Sequence, residues 1–262
     1  MTKLALCFSG DPRTYKKCFE SIKFNLLDNF DCDIFISTYE TTSEIKDDIL
    51  NLYKPKLFNF HDRNNIIKIG YEYLENLEDI KLNKTEYFPN TIKETDIDNL
   101  EFKNNYEDYF FNYDTYENKF EYTQLSVNTL CQFFGIFDVS NLCREYMLES
   151  KTSYDYILRL RLDDTFRSNF VINELKENEL LVNVIQCYSD SIKLQDHFFM
   201  AKVDTFFKIA SLYNNIPNII KTINNNRCWL PTAGYQETLL LIQTTLQNVT
   251  IKKASFFCAQ LK

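Results

Sequence analysis

Short apolar runs alternate with amphipathic stretches as far as Phe60. Leu4-Ala5-Leu6-Cys7-Phe8 is continuously apolar, the pattern of a central parallel strand buried on both faces. It breaks at Ser9-Gly10-Asp11-Pro12-Arg13, a turn with glycine for a tight bend and proline to stop pairing. From Tyr15 to Asn29 the apolar positions Cys18-Phe19, Ile22 and Leu26-Leu27 fall at helical spacing. Cys32 to Thr38 reads as a second strand, Glu44 to Tyr53 as a short helix and Lys56 to Phe60 as a third strand. This alternation predicts an α/β fold with a mostly parallel sheet flanked by helices.

The pattern then changes. Residues 62–121 are dominated by Asn, Asp, Glu, Lys and aromatics, and Asn76 to Asn105 is polar enough to read as a long loop or insertion. Phe110, Phe111, Tyr113 and Tyr116 could anchor it to a core, and an active-site lid is one reading of such a segment. The whole chain, 1–262, reads as a single domain with this insertion or long loop at about 62–121. Tyr122 to Met147 predicts two helices, followed by a loop over Glu149 to Ser153. Tyr154 to Phe166, YDYILRLRLDDTF, predicts a buried strand that alternates through Arg159 and Arg161 and stops at Asp163 and Asp164. Val171-Ile172, Leu180 to Val182 and Asp196 to Ala201 predict further strands. Helices follow over Val203 to Leu212, Asn215 to Asn224 and Thr238 to Gln247. Val249 to Ile251 and Phe256-Phe257 are strand-like ends.

Composition narrows the classes. The 262 residues are 45% hydrophobic, which is ample for one large core, and four glycines and five prolines exclude a linker-rich design. The net charge of −8, without a basic block, argues against nucleic acid as a partner. Eight scattered cysteines with no Cys-x-x-Cys pair predict free thiols in a reducing compartment. Met1-Thr2-Lys3 runs straight into a strand, and no apolar run approaches the ~20 residues of a membrane span. The expectation is a cytoplasmic protein with no transmembrane segment and an open oligomeric state.

The candidate chemistry sits at predicted strand ends. A strand ending in Asp163-Asp164 delivers carboxylates to the sheet edge where open α/β sheets bind ligands. Such oxygens suit a divalent cation, Mg²⁺ or Mn²⁺, shared with substrate phosphates. Arg159 and Arg161 need acidic or phosphate partners, because an unpaired buried charge costs several kcal/mol. The same residues also fit an ordinary edge strand with a charged turn. The Ser9–Arg13 loop opens a helix whose N-terminus, with Arg13, could receive an anion. It also fits a plain strand-to-helix turn. Glu237 falls in the first turn of the late helix, where capping is an equal explanation.

Taken in order, Ser9-Gly10-x-Pro12-Arg13, Arg159-x-Arg161-x-Asp163 and Glu237 resemble the GT-A-type glycosyltransferases of viral and bacterial polysaccharide synthesis. The resemblance covers Leu4 to about Tyr39 and Tyr122 to Leu241. It implies transfer of a sugar from a nucleotide-sugar donor to a glycan or other hydroxyl acceptor, with a divalent cation on the diphosphate. Ser9, Gly10, Pro12, Arg13 and Thr38 would line the nucleotide pocket, with Arg159 and Arg161 on the substrate. Asp163, with Asp164 second, would hold the metal. The chain departs from the family's Asp-x-Asp, because Arg161 stands where the first acid is expected. Asp196 and Glu237 are the candidate bases for the acceptor proton. His197 is either a ligand or a residue packed beside Phe198-Phe199.

Two rivals share these features. A sugar nucleotidyltransferase normally has a longer Gly-rich loop with a lysine, which Ser9 to Arg13 lacks. A non-catalytic nucleotide-sugar or glycan-binding module would use Trp229 and tyrosines for stacking. Asn- and Lys-rich usage points to an AT-rich coding sequence, with a virus as one source.

Overall fold

The computed structural model describes residues 1–75, 127–172, 174–183, 185–188, 191–225 and 236–261. The first apolar run forms β1 (Lys3–Ser9), followed by α1 (Tyr15–Ile22) and a π-helical turn over Lys23–Leu27. The expected helix to Asn29 thus changes its hydrogen-bonding after Ile22. Next come β2 (Asp31–Tyr39), α2 (Ser43–Tyr53), β3 (Leu57–His61) and α3 (Arg63–Glu75). The Thr42 hydroxyl accepts from the Ile45 N–H and caps α2, and Lys54 ends that helix at φ 46°. The part of the expected insertion at 63–75 is helical, and residues 76–126, with Phe110 to Tyr116, lie outside the described residues.

The second half holds α4 (Val127–Ser150), β4 (Tyr156–Leu160), β5 (Asp164–Phe166), β6 (Glu179–Val182) and the hairpin β7 (Ile185–Tyr188) with β8 (Ser191–Leu194). Then follow β9 (Phe199–Ala201), α5 (Val203–Ala210), α6 (Leu212–Asn225), α7 (Gln236–Leu246), β10 (Thr250–Lys253) and β11 (Cys258–Gln260). Seven strands make the main sheet, in the order β10-β6-β9-β4-β1-β2-β3. All pair parallel except β9, which runs against both β4 and β6. The mixed α/β architecture with a mostly parallel sheet is therefore as the apolar pattern predicts.

Each central strand feeds two cores. Ala5 and Cys7 pack in the layer with Leu130, Phe133, Ile136 and Val139 of α4. Leu4, Leu6 and Phe8 point the other way, toward Cys18, Ile22, Ile49 and Tyr53 of α1 and α2. Burial on both faces is why these strands read as continuous apolar runs.

Three expectations are corrected. Tyr122 to Met147 does not make two helices. From Val127 onward it is one helix, α4, wedged between the sheet and α3, α5 and α6, so apolar residues surround it instead of lining one stripe. Its Gly135 lies where an added Cβ would sit 3.5 Å from Ser9 Cβ. Val171-Ile172 is not a strand. The strand expected from Asp196 begins only at Phe199 and is antiparallel, with Asp196 and His197 in a bend before it. The alternation Phe199-Met200-Ala201 is the same in either direction, so it carries no sign of strand sense.

Candidate active site at the β1 and β4 edge

Because β1 and β4 are parallel neighbours, with Phe8 opposite Leu160, the loops after them leave the same edge of the sheet. Gly10 turns the chain with φ 112°, a conformation that favours glycine. On its open side lies the Arg161 side chain, with Cζ 3.6 Å from where a Cβ would stand. Thr38, near the end of β2, donates its hydroxyl to the Gly10 carbonyl at 2.6 Å. The Pro12 carbonyl accepts from the Tyr15 N–H at 3.5 Å, where α1 opens. Arg13 is thereby aimed across to the β4 side.

The two predicted motifs meet on Asp163. Arg13 donates Nε and Nη2 to Asp163 Oδ2 at 3.2 and 2.9 Å. Arg161 donates Nε to Oδ1 at 2.7 Å and Nη2 to Oδ2 at 3.1 Å. Gln260 adds Nε2 to Oδ2 at 2.7 Å. The Asp163 side chain is 0% exposed, whereas Arg13 is 55% and Arg161 11% exposed. Burial pushes the Asp163 carboxyl up, but hydrogen bonds from Arg161 and Gln260 and the charges of Arg161 and Arg13 outweigh it and hold it below the usual range. Burial likewise pushes Arg161 down, and Asp163 more than compensates.

Asp164 follows at once in different surroundings. The strand expected to run through to the acids ends at Leu160. Arg161 to Asp163 form a turn, and Asp164 opens β5, which pairs antiparallel with β11. That pairing sets Gln260 opposite Asp164 and brings it to Asp163. Asp164 Oδ2 accepts from the Arg161 N–H at 3.0 Å, and Oδ1 faces His197 Nδ1 at 3.3 Å. The other ring nitrogen of His197 lies 3.8 Å from Asp196 Oδ1.

Arg159 lies beneath this group. It is fully buried, and Nη1 donates to the carbonyls of Asp196 and His197 at 2.5 and 2.6 Å. Its Nε and Nη2 have no hydrogen-bond partner among the described residues. Burial draws the guanidinium down to about 10 against the pull of Asp196. It lies buried under the site and holds the Asp196-His197 bend, with two nitrogens of its head unpartnered among the described residues.

The structure thus gathers Ser9, Gly10, Pro12, Arg13, Thr38, Arg161, Asp163 and Asp164 along one sheet edge. Asp196 and His197 stand beside Asp164. Glu237 is the second residue of α7, while Trp229 and 226–235 lie outside the described residues. Sequence reasoning missed Gln260 altogether. It also missed a cluster at the ends of β2 and β3. There Asp138 of α4 accepts from Asn59 Nδ2 at 3.0 Å and lies 2.8 Å from His61 Nε2. Burial raises the Asp138 carboxyl, and His61, Asn59 and Ser37 bring it below its ordinary value. Polar residues at the carboxyl ends of consecutive parallel strands were the available signal.

Of the two acids expected to hold a divalent cation, Asp163 already accepts from guanidinium groups on both oxygens, and among the described residues no group of three or more His, Cys, Asp or Glu could hold a metal ion. Among the described residues no helix is long and apolar enough to cross a membrane, and Cys7, Cys18, Cys32, Cys131, Cys143 and Cys258 are free thiols.

No family model and no curated protein matches the chain. Solved structures similar to it include the following two. Apo-form glycosyltransferase GlyE of Streptococcus pneumoniae is 12% identical, with a TM-score of 0.40 over 97% of this chain and 46% of GlyE. Mouse xyloside xylosyltransferase 1 is 11% identical, with a TM-score of 0.37 over 96% of this chain and 84% of its own. The chain thus spans about half the length of GlyE. Likeness at this level carries no conclusion about function.

Proposed function

We propose that this chain is a glycosyltransferase that takes a sugar from a nucleotide-sugar donor and passes it to a hydroxyl acceptor, such as a glycan. The observation that carries the reading is the pair of guanidinium groups, Arg13 and Arg161, held by one buried carboxylate at the carboxyl edge of a parallel sheet, beside a glycine turn. Transfer makes a diphosphate leaving group, and fixed positive donors at a sheet edge stabilise the charge that develops there. Ser9, Gly10, Pro12 and Thr38 would border the nucleotide. The acceptor proton needs a base, for which Asp196, partnered by His197, and Glu237 are the candidates.

A melting-temperature panel tests this directly. Nucleoside diphosphates and nucleotide-sugars are added to the protein in the presence of Mn²⁺. A ligand that binds only the native state raises the midpoint by mass action. Stabilisation by one nucleotide-sugar, followed by release of its nucleoside diphosphate when an acceptor is added, is the expected result. Binding without turnover across varied acceptors would instead identify a non-catalytic nucleotide-sugar or glycan-binding module. Pyrophosphate release from a nucleoside triphosphate and a sugar phosphate would identify a nucleotidyltransferase. No shift with any nucleotide would remove the transferase and nucleotidyltransferase readings and leave a glycan-binding or structural module.

A further inference from the structure

We propose that the site takes the donor's diphosphate without a divalent cation: Arg13 and Arg161 carry the positive charge, and Asp163 is the anchor that holds their guanidinium groups in place. This rests on the transferase reading above and deepens it. A metal ligand needs lone pairs free to face the ion. On Asp163, Oδ2 accepts from Arg13, Arg161 and Gln260, and Oδ1 accepts from Arg161, so a cation would have to share either oxygen with a guanidinium. A cation placed on either oxygen would sit against two guanidinium groups in a buried setting, where like charges repel strongly. On the second acid, Asp164 Oδ2 accepts from the Arg161 N–H, and Oδ1, which faces His197 Nδ1 at 3.3 Å, is the one oxygen of the pair without a hydrogen-bond partner among the described residues.

Arg13 presents its charge outward, with its side chain 55% exposed while its fork is steered by Asp163. Arg161 lies over Gly10, and the missing Cβ there leaves the loop backbone beside its guanidinium. A diphosphate reaching that loop meets planar forks suited to bidentate contact with phosphate oxygens. Arg161 in place of the first acid of Asp-x-Asp is then the substitution that exchanges a metal for a guanidinium.

The test is calorimetric titration of the wild-type protein with the diphosphates of uridine, guanosine and adenosine, in excess EDTA and again in Mn²⁺. The same diphosphate should bind in both buffers with dissociation constants within about twofold. Arg13→Ala should weaken it about tenfold or more in both, the effect of losing a charged hydrogen bond. Electron paramagnetic resonance of Mn²⁺ mixed with the protein alone should show only the free ion. Binding in Mn²⁺ but not in EDTA would overturn the inference and leave the transferase reading standing, as would a bound Mn²⁺ signal that Asp163→Asn abolishes. Unchanged binding in Arg13→Ala would overturn the arginine assignment. No diphosphate bound in either buffer would remove the transferase reading, and the inference with it.

Discussion

Asp163 and Asp164 are consecutive and buried, yet one is saturated with donors and the other is not. Asp163 lies at the centre of Arg13, Arg161 and Gln260, and both its oxygens are taken. Asp164 has one backbone donor on Oδ2, while Oδ1 faces a histidine ring that in turn approaches Asp196. The arginines repeat the contrast: Arg161 is paired with a carboxylate, while Arg159, two residues earlier, has two nitrogens without a partner among the described residues. The paired half is an ion cluster that organises the loop edge. The half with unpartnered buried atoms, Arg159, Asp164 and His197, is where a water or a substrate hydroxyl would complete the hydrogen bonding.

The largest effect expected from this contrast is at Asp163. Asp163→Ala leaves Arg161 almost buried without its counter-charge and should lower unfolding free energy by about 3–5 kcal/mol in urea titrations. Asp164→Ala removes one hydrogen bond to a backbone N–H and should lower it by about 1–3 kcal/mol. Equal losses at the two positions would break the comparison.

A pH series sharpens it. The folded Asp163 carboxyl is held below its ordinary value, so its contribution to stability is present above about pH 4 and is lost as pH falls through the folded value. The stability gap between wild type and Asp163→Asn should therefore stay level from neutral pH down to about pH 5 and narrow below it. A gap that widens in acid would reverse the sign of the assignment.

Smaller is the effect at Gly10. Alanine has room there, with the nearest atoms of Arg161 at 3.6 to 3.8 Å, so the penalty is backbone strain at φ 112°, about 1–3 kcal/mol. Thermal melts of Gly10→Ala and Gly10→Asn check it, and asparagine should be the milder change. Similar in size is Arg159→Met, which removes a desolvated charge with unpartnered nitrogens but leaves the Asp196 and His197 carbonyls without their donor. It should lower stability by about 1–3 kcal/mol. A loss of several kcal/mol would show that the Arg159 head is as well satisfied as that of Arg161.

Local pattern was sufficient for most of the elements. Ala5 and Cys7 on one face, with Leu4, Leu6 and Phe8 on the other, made β1 legible as a strand buried on both sides, because side chains alternate with a period of two. Arg161 needing an acid nearby was legible too, since a mostly buried guanidinium must be paired. The sequence by itself therefore determined the alternating α/β order, the Gly10 turn and the acidic strand end.

Which acid meets which base was decided only in three dimensions. Arg13 and Asp163 are 150 residues apart and Gln260 and Asp163 are 97 apart, and no periodicity reports on contacts of that separation. The reversed direction of β9, the continuity of α4 past Gly135, and the burial of Arg159 under the Asp196-His197 bend have the same origin. Each depends on what packs against the segment from elsewhere in the chain. Periods of two and 3.6 encode a strand's or helix's own faces and carry nothing about the neighbour those faces will find.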